Sequence, residues 1–423
     1  MNTTTTANAQ NLGAGTSLKQ DAGVIGLVGL AHMISHFSQL LLAPLFPWLK
    51  DDFNASYAEL GFLMSVFFVV SCAVQMLSGF LVDRFGPRPI LFGGLATLGL
   101  AAFGFSVSTS YWMLAGVSVL AGIGNGVFHP VDYTLLNRKV SSPRLGHAYS
   151  VHGITGSLGW ALAPAMLVPI ALAFSWRVAL ASAGTLAFVV LAVLWLNRDK
   201  LSLPSPSTSG STSGAHKTGA PVLEGGSFGF LKIPAVWMCF AFFFFYAMAL
   251  SVVQAFAPEA ARQLHQVPVA LVATCLTVYM VCSAGGMVLG GFLAADPTRC
   301  ERIVGLGLGF AALVALVIGF ADVSGLAVPV LFGLMGFAAG TGGPSRDLIV
   351  KRAAPPNSTG RVYGVVYSGL DIGQAVSPLV FGSLMDHGQY RGVFIGLALV
   401  QAVLITTAFN VRKARRTVMA PAY

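Results

Sequence analysis

Charged side chains are scarce in this chain, and their scarcity excludes several classes of protein. Of the 423 residues, 24 are Lys or Arg and 15 are Asp or Glu, which together make 9% of the chain; a soluble domain carries about 25%. Hydrophobic residues make up 55%, and the mean hydropathy is +0.76. A water-soluble enzyme, a nucleic-acid-binding protein and a disordered chain are therefore excluded, and the net charge of +9 has to be interpreted against a bilayer.

Cysteines are also few, and nucleotide-binding motifs are absent from the sequence. The five cysteines form no CxxC pair, and four of them lie within apolar runs, so neither a disulfide framework nor a zinc site is predicted. The sequence contains no GxxxxGK[ST] segment, so ATP does not drive this chain, and no cofactor is expected. No nucleophile–base pair is found either, and we do not expect an enzyme.

Long apolar runs dominate the chain instead. A bilayer core of about 30 Å needs about 20 residues of helix, and these runs are too long for the strands of a membrane barrel. The sequence therefore predicts an all-α polytopic membrane protein with twelve transmembrane helices. They are predicted at about 22–49, 57–82, 89–109, 111–136, 145–172, 176–196, 234–257, 267–294, 303–321, 325–349, 360–385 and 391–410.

Lys and Arg set the predicted orientation. If the N-terminus is cytoplasmic, nineteen of the 24 basic residues fall on the cytoplasmic side, four fall on the opposite side, and Arg346 lies within the tenth run. We therefore expect both termini in the cytoplasm. Residues 1–21 lack the features of a cleavable signal peptide. We expect a multi-pass protein of the bacterial cytoplasmic (inner) membrane.

The second half of the chain repeats the first. A shift of 214 residues aligns ten matching positions, among them Pro44 with Pro258 and Arg177 with Arg391. The predicted organisation is a cytoplasmic tail at 1–21, a six-helix bundle at 22–196, a cytoplasmic linker at 197–233, a second six-helix bundle at 234–410 and a basic cytoplasmic tail at 411–423. Two halves in parallel orientation are typical of a transporter that rocks around a central site.

The segment from Gly79 to Pro89 carries a family resemblance. It resembles the loop signature of the major facilitator superfamily, although Pro87 departs from the pattern. Gly79 and Gly86 are expected to allow close helix approach and a tight turn. The resemblance implies twelve helices, alternating access and a cytoplasmic gate. The matching positions are Gly79, Leu81, Asp83, Arg84, Gly86 and Arg88, of which Asp83, Arg84 and Arg88 are the predicted gate residues.

Two shorter segments resemble the fosmidomycin-resistance branch of efflux proteins. They run from His36 to Pro47 and from Gly122 to Pro130. One position departs from many proton-coupled members of the superfamily, because Ser118 stands where they carry an Arg. The fifth run lacks the GPxxGG of the antiporter signature, so the direction of transport stays open.

Polar side chains within the spans are candidates for function because a bilayer makes them costly. They form stripes at helical spacing, and each stripe is expected to face the interior of the bundle. His32 and His36 are equally compatible with a structural role and with a role in binding protons or substrate. A metal site would need a third and a fourth ligand in addition to this pair, of which His129 could be one. The predicted substrate-binding residues are His32, His36, Gln39, Asn125, His129, Tyr246, Arg346, Tyr367 and Gln374.

Asp371 is the sharpest candidate for proton coupling, followed by His32 and His36. It is the only carboxylate near the centre of a span, and a salt bridge to Arg346 is the structural alternative. Asp132 lies about 9 Å of helix from the cytoplasmic Arg138. We therefore expect Asp132 to pair with Arg84 or Arg88 at the gate. Arg346 and Asp347 are equally compatible with a role in the gate and with a role in an anion site.

These features together predict a secondary transporter. It is expected to move a small organic solute by alternating access, driven by protons, with export favoured over the alternative, uptake of a carboxylate or other organic anion. The expected partners are the solute, protons and the lipid bilayer, without nucleic acid, and the expected state is a monomer.

Overall fold

A computed structural model describes residues 17–141, 144–203, 234–294, 298–346 and 360–419. Every regular element in these ranges is a helix, which confirms the predicted all-α class. The first half contains α1 Leu18–Gln39, α2 Phe46–Phe53, α3 Tyr57–Phe85, α4 Pro87–Ser106, α5 Tyr111–Asn125, α6 Phe128–Lys139, α7 Leu145–Ala173 and α8 Trp176–Leu196. The second half contains α9 Pro234–Ala255, α10 Ala257–His265, α11 Val269–Leu293, α12 Cys300–Phe320, α13 Val328–Thr341, α14 Gly360–Asp386 and α15 Tyr390–Met419.

Ten candidate membrane spans occur among the described residues. They coincide with ten of the twelve predicted runs. The other two runs, at about 325–349 and 360–385, overlap α13 and α14. The 204–233 part of the predicted linker lies outside the described residues, so the predicted domain boundaries stay a prediction.

Residues in the short polar segments between the spans cap or begin the helices that follow. Before α3, the Ser56 hydroxyl accepts from the Glu59 amide, and the Glu59 carboxylate accepts from the Ser56 amide. Between α3 and α4, Gly86 has φ +82° and Pro87 occupies the first turn of α4, which is the predicted tight turn. Gly79 does not allow a close helix approach, because an added Cβ would meet nothing within 4 Å.

Two spans are broken at equivalent positions of the two halves. The first is interrupted between α1 and α2, where Pro44 lies, and the seventh is interrupted between α9 and α10, with Pro258 in the first turn of α10. These prolines are 214 residues apart, as the repeat predicts. Because proline cannot donate a helical hydrogen bond, it favours a break at both places.

The helices pack mainly within each half, and two helix pairs form the main contacts across the halves. In the first half α1 packs on α7, α4 on α8 and α3 on α5, and in the second half α9 packs on α14, α11 on α13 and α12 on α15. Across the halves, α3 packs on α14 and α7 packs on α11. These two contacts frame the centre of the molecule, where polar residues from both halves meet.

The two halves are joined at the end of the molecule where α3 begins and α14 ends. The Asp386 carboxylate accepts from the backbone amides of Tyr57 at 2.6 Å and Ala58 at 2.8 Å. The Tyr57 hydroxyl donates to Glu259 at 3.2 Å, and Glu259 pairs with Arg262. On the predicted orientation this is the extracytoplasmic end, so the structure is closed on that side.

Candidate functional site

Four histidines of the first half lie together in the centre of the bundle. His32 and His36 are one turn apart on α1, so they share a face, while His129 comes from α6 and His152 from α7. The His32 ring stacks on His152 with centroids 3.5 Å apart, and it lies 4.2 Å from His36 and 5.4 Å from His129. We call these four residues the histidine cluster. His152 was not among the residues predicted from the sequence, and it is part of this cluster.

Asp132 lies beside the histidine cluster and not at the gate. Its Oδ2 atom is 3.1 Å from His32 Nδ1 and 3.1 Å from His152 Nε2, and the residue is fully buried. The expected pairing with Arg84 or Arg88 is therefore corrected. Spacing along α6 placed Asp132 correctly along the helix axis, but it could not show that this face of α6 packs against α1 and α7.

An amide network continues from the histidine cluster along α1. The Asn125 side-chain oxygen accepts from the Ser35 hydroxyl at 2.7 Å, and its amide donates to the Ser71 hydroxyl at 2.9 Å. Gln39 donates to Asn125 at 3.4 Å and accepts from the Trp160 indole at 3.0 Å. These partners hold Gln39 and Asn125, two predicted substrate residues, in defined orientations.

Gln75 links the histidine cluster to Asp371. Its side-chain oxygen lies 3.0 Å from His129 Nδ1, and its amide donates to Asp371 Oδ2 at 3.3 Å. Because the oxygen of an amide only accepts, His129 donates through Nδ1. Gln75 and His129 belong to the first half and Asp371 to the second, so this hydrogen-bonded chain crosses between them. We call it the Asp371–Gln75–His129 bridge.

A small cavity of about 30 Å³ lies next to the histidine cluster and between the halves. Trp160 lines it and also stacks on His36, with ring centroids 4.3 Å apart. Tyr246, predicted to bind substrate, lines the opposite side, and the Arg346 guanidinium lies 4.2 Å from the centre of its ring. The remaining lining residues are mostly apolar, among them Leu250, Met280, Met287, Leu308 and Leu404.

The other predicted residues lie apart from this centre or outside the described part. Gln374 is buried and donates to Gln254 at 3.4 Å. Arg84 is exposed and lies over the Phe85 ring, and Arg88 is partly exposed. The side chains of Asp83 and Tyr367 and the whole of Asp347 lie outside the described residues.

Two residues of these contacts, Gln75 and Asp386, were not predicted from the sequence. Gln75 is the only amide or carboxylate between Glu59 and Asp83, so its isolation within the second run was an available signal. Asp386 ends its span, where a carboxylate is ordinary, and no sequence signal indicated that it caps a helix of the other half. Both roles depend on the packing of α3 against α14.

A family model described as Major Facilitator Superfamily matches residues 28–334 and 244–420 of the chain. Among solved structures, a bacterial homolog of the human lysosomal transporter Spinster, in an inward-facing and occupied conformation, matches with a TM-score of 0.75 at 14% identity. The match covers 96% of this chain and 100% of that chain, and it shows a shared fold.

Curated relatives match over less than half of their length. A fosmidomycin resistance protein of Escherichia coli is 28% identical over 181 residues, and a hexuronate transporter of Bacillus subtilis is 29% identical over 182 residues. The membrane sensor protein UhpC of Escherichia coli is 27% identical over 182 residues. Each match covers 42% of this chain and 42% of the relative.

Proposed function

Because the chain belongs to the major facilitator superfamily, we propose that it is a proton-coupled secondary transporter that moves a small organic solute by alternating access. The observation that carries this proposal is the Asp371–Gln75–His129 bridge. It joins an ionisable group of one half to the polar centre of the other. A change in the protonation of that group therefore acts directly on the contact between the halves.

Asp371 is the proton-binding group in this proposal. A charged carboxylate accepts a stronger hydrogen bond than a neutral carboxylic acid, and such bonds contribute about 1.5–3 kcal/mol. Proton binding at Asp371 thus weakens its contact with Gln75 and loosens α14 from α3. Ser118 is buried and donates to the Leu114 carbonyl. No cation stands at position 118 to share the coupling, which leaves it to Asp371 and the histidine cluster.

Export is the direction we favour. The cavity beside the histidine cluster is lined mainly by aromatic, Leu and Met side chains, and such surfaces adapt to varied apolar solutes. The matching fosmidomycin resistance protein supports the same direction. We propose that the chain works as a monomer in the bacterial inner membrane with both termini in the cytoplasm, without a cofactor and without nucleic acid.

Uptake of a carboxylate or another organic anion is the second candidate. Arg346 lies over the Tyr246 ring, and Tyr246 lines the cavity, so a cation is close to the space that a solute would occupy. A guanidinium binds carboxylates through two parallel hydrogen bonds. The matching hexuronate transporter supports this reading.

One experiment tests the proposal and separates the two directions. A thermal-shift screen of the purified protein against metabolites and antibiotics first identifies a solute. Proteoliposomes are then loaded with an acidic or an alkaline lumen. Export by proton exchange predicts accumulation with the acidic lumen, and uptake with protons predicts accumulation with the alkaline lumen. Accumulation under neither gradient would contradict proton coupling.

A further inference from the structure

We propose that His32, His36 and His129 form a binding site for a divalent transition-metal ion of the Zn²⁺ class. One ring nitrogen from each of the three lies within 4.8 Å of the others. Zn²⁺ binds imidazole nitrogen at about 2.0–2.1 Å, which places the nitrogens of a tetrahedral site about 3.4 Å apart. Side-chain rotations that bring the nitrogens together by up to about 1.4 Å therefore complete the site.

An unsatisfied nitrogen points to a ligand at this position. His36 is 9% exposed, and its buried Nδ1 atom makes no hydrogen bond of good geometry among the described residues, although the Gly156 backbone lies beside the ring. Buried polar atoms in folded proteins are nearly always paired. The imidazole of His36 can satisfy this nitrogen by coordinating a cation, and imidazole is the preferred ligand of Zn²⁺, Cu²⁺ and Ni²⁺.

His129 has the neighbour that is usual for a metal-bound imidazole. A metal-binding histidine usually presents its second ring nitrogen to a carboxylate, a carbonyl or water, which fixes the orientation of the ring. His129 presents Nδ1 to the Gln75 oxygen, which leaves its Nε2 for the metal. His32 Nδ1 lies 3.1 Å from Asp132 Oδ2 but makes no hydrogen bond among the described residues.

Charge gives a further reason for a cation here. Asp132 is fully buried, its Oδ2 atom lies against the imidazoles of His32 and His152, and its Oδ1 atom has no hydrogen-bond partner among the described residues. A buried carboxylate without a compensating cation is costly. A divalent ion held by His32 would lie one imidazole away from Asp132 and would compensate its charge.

A second set of residues, His32, Asp132 and His152, also brings one ligand atom from each within 4.8 Å of the others. Both sets contain a buried atom without a hydrogen-bond partner among the described residues, His36 Nδ1 in the first and Asp132 Oδ1 in the second. We assign the ion to the first set because all three of its ligands are imidazoles, which suit ions of the Zn²⁺ class. In this assignment Asp132 and His152 lie beside His32 and do not touch the metal. The two sets share only His32. The first adds His36 and His129 and the second adds Asp132 and His152, so substitutions separate them.

Metal titration of the intact chain tests the site. The protein is purified without a polyhistidine tag, stripped with a chelator, and titrated with Zn²⁺ by calorimetry and with Co²⁺ by absorption spectroscopy. We expect one ion per chain and the intense visible bands of tetrahedral Co²⁺. His36→Gln and His129→Gln should each weaken binding by about ten-fold or more. His147→Gln is the matched control, because His147 is exposed on α7.

The outcomes decide between the assignments. Equal binding by wild type and both variants, or no stoichiometric binding by wild type, overturns the proposal. Loss of binding in His152→Gln together with normal binding in His36→Gln assigns the ion to the other set and also overturns it. Thermal melting of each apo variant shows that it is folded, and a misfolded variant is replaced by His36→Asn or His129→Asn. Because the readout is binding, the result is independent of whether the chain transports a solute with protons.

Discussion

At the scale of single residues, Gln75 is the side chain whose hydrogen bonds join Asp371 to the histidine cluster. Its amide offers an acceptor to His129 and a donor to Asp371. A neutral amide does not take up the proton itself. Its role is to hold His129 and Asp371 at fixed positions relative to each other.

Gln75→Leu tests this positioning role. The substitution keeps the approximate size of the side chain and removes both hydrogen bonds, so about 1.5–3 kcal/mol of contact to the carboxylate is lost. We expect accumulation driven by a pH gradient to fall by about ten-fold or more, because every 1.4 kcal/mol is a factor of ten. Solute binding measured by thermal shift should change little.

Gln389→Leu is the matched control for this experiment, because Gln389 is exposed at the start of α15. It should transport like the wild type. Unchanged accumulation in Gln75→Leu would show that the Asp371–Gln75–His129 bridge is not used in transport.

Candidate functional residues could be predicted from the sequence only where the residues that indicate them lie on a single helix. Asp371 stands out as a lone carboxylate in its span, and His32 and His36 stand out by their spacing on one face. The partner of Asp132 and the role of Gln75 depend on which helices are neighbours. That information lies in the packing of α1, α3, α6, α7 and α14, which a single sequence does not state.

At the scale of helices, the contact between α3 and α14 depends on small residues and on a cap that comes from the other half. An added Cβ on Gly61 would lie 2.9 Å from the Pro378 carbonyl oxygen, so the two backbones approach closely there. At the end of the same contact, Asp386 accepts from the first amides of α3. A carboxylate at a helix N-terminus is favourable because it pairs with unsatisfied amides and with the helix dipole.

Gly61→Ala is expected to destabilise this contact. The new methyl group must displace backbone atoms of α14, and overpacking of this kind costs about 1–3 kcal/mol. The melting temperature of the purified protein should fall. Gly93→Ala is the control, since an added Cβ there meets nothing within 4 Å. Equal melting temperatures for the two variants would show that α3 and α14 do not pack this closely.

Asp386→Ala is expected to favour opening at the end where α3 begins. Loss of a cap costs about 0.5–2 kcal/mol. Asp386 caps α3 only when the two halves are in contact, so the substitution destabilises that conformation and not the open one. Spin labels at Thr109 and Ser324, in a background without the five native cysteines, should report a larger population of long distances. Asp199→Ala, a substitution of an exposed residue at the opposite end, should leave the distances unchanged. If Asp386→Ala shows the same distances as the cysteine-free protein that retains Asp386, the halves are not held together by this residue.

At the scale of the whole molecule, charge predicts the orientation in the membrane. Nineteen of the 24 basic residues lie on one side in the predicted twelve-span arrangement. Basic residues resist translocation, so we propose that this side faces the cytoplasm. Reporter fusions at residue 215 and at the C-terminus should both show a cytoplasmic location. A fusion at 215 that is active only outside the cytoplasm would refute the predicted twelve-span arrangement.

The global features were the most predictable part of this protein. They can be recognised from the order of residues along the chain, as hydrophobic runs, the repeat at 214 residues and the Gly79–Pro89 segment. The family that they indicated is confirmed. The helix breaks near Pro44 and Pro258 also follow the repeat. What the sequence could not supply is which faces of distant helices meet, because a bilayer makes every outward face similarly apolar.

The central claim is that Asp371 couples proton movement to solute movement. The most direct test follows protons with a pH-sensitive dye inside proteoliposomes while a solute gradient is imposed. Wild type and Asp322→Asn, a control at an exposed aspartate, should move protons in response to the solute. Asp371→Asn should abolish this proton movement and preserve solute–solute exchange. Proton movement at the wild-type rate in Asp371→Asn would contradict the account.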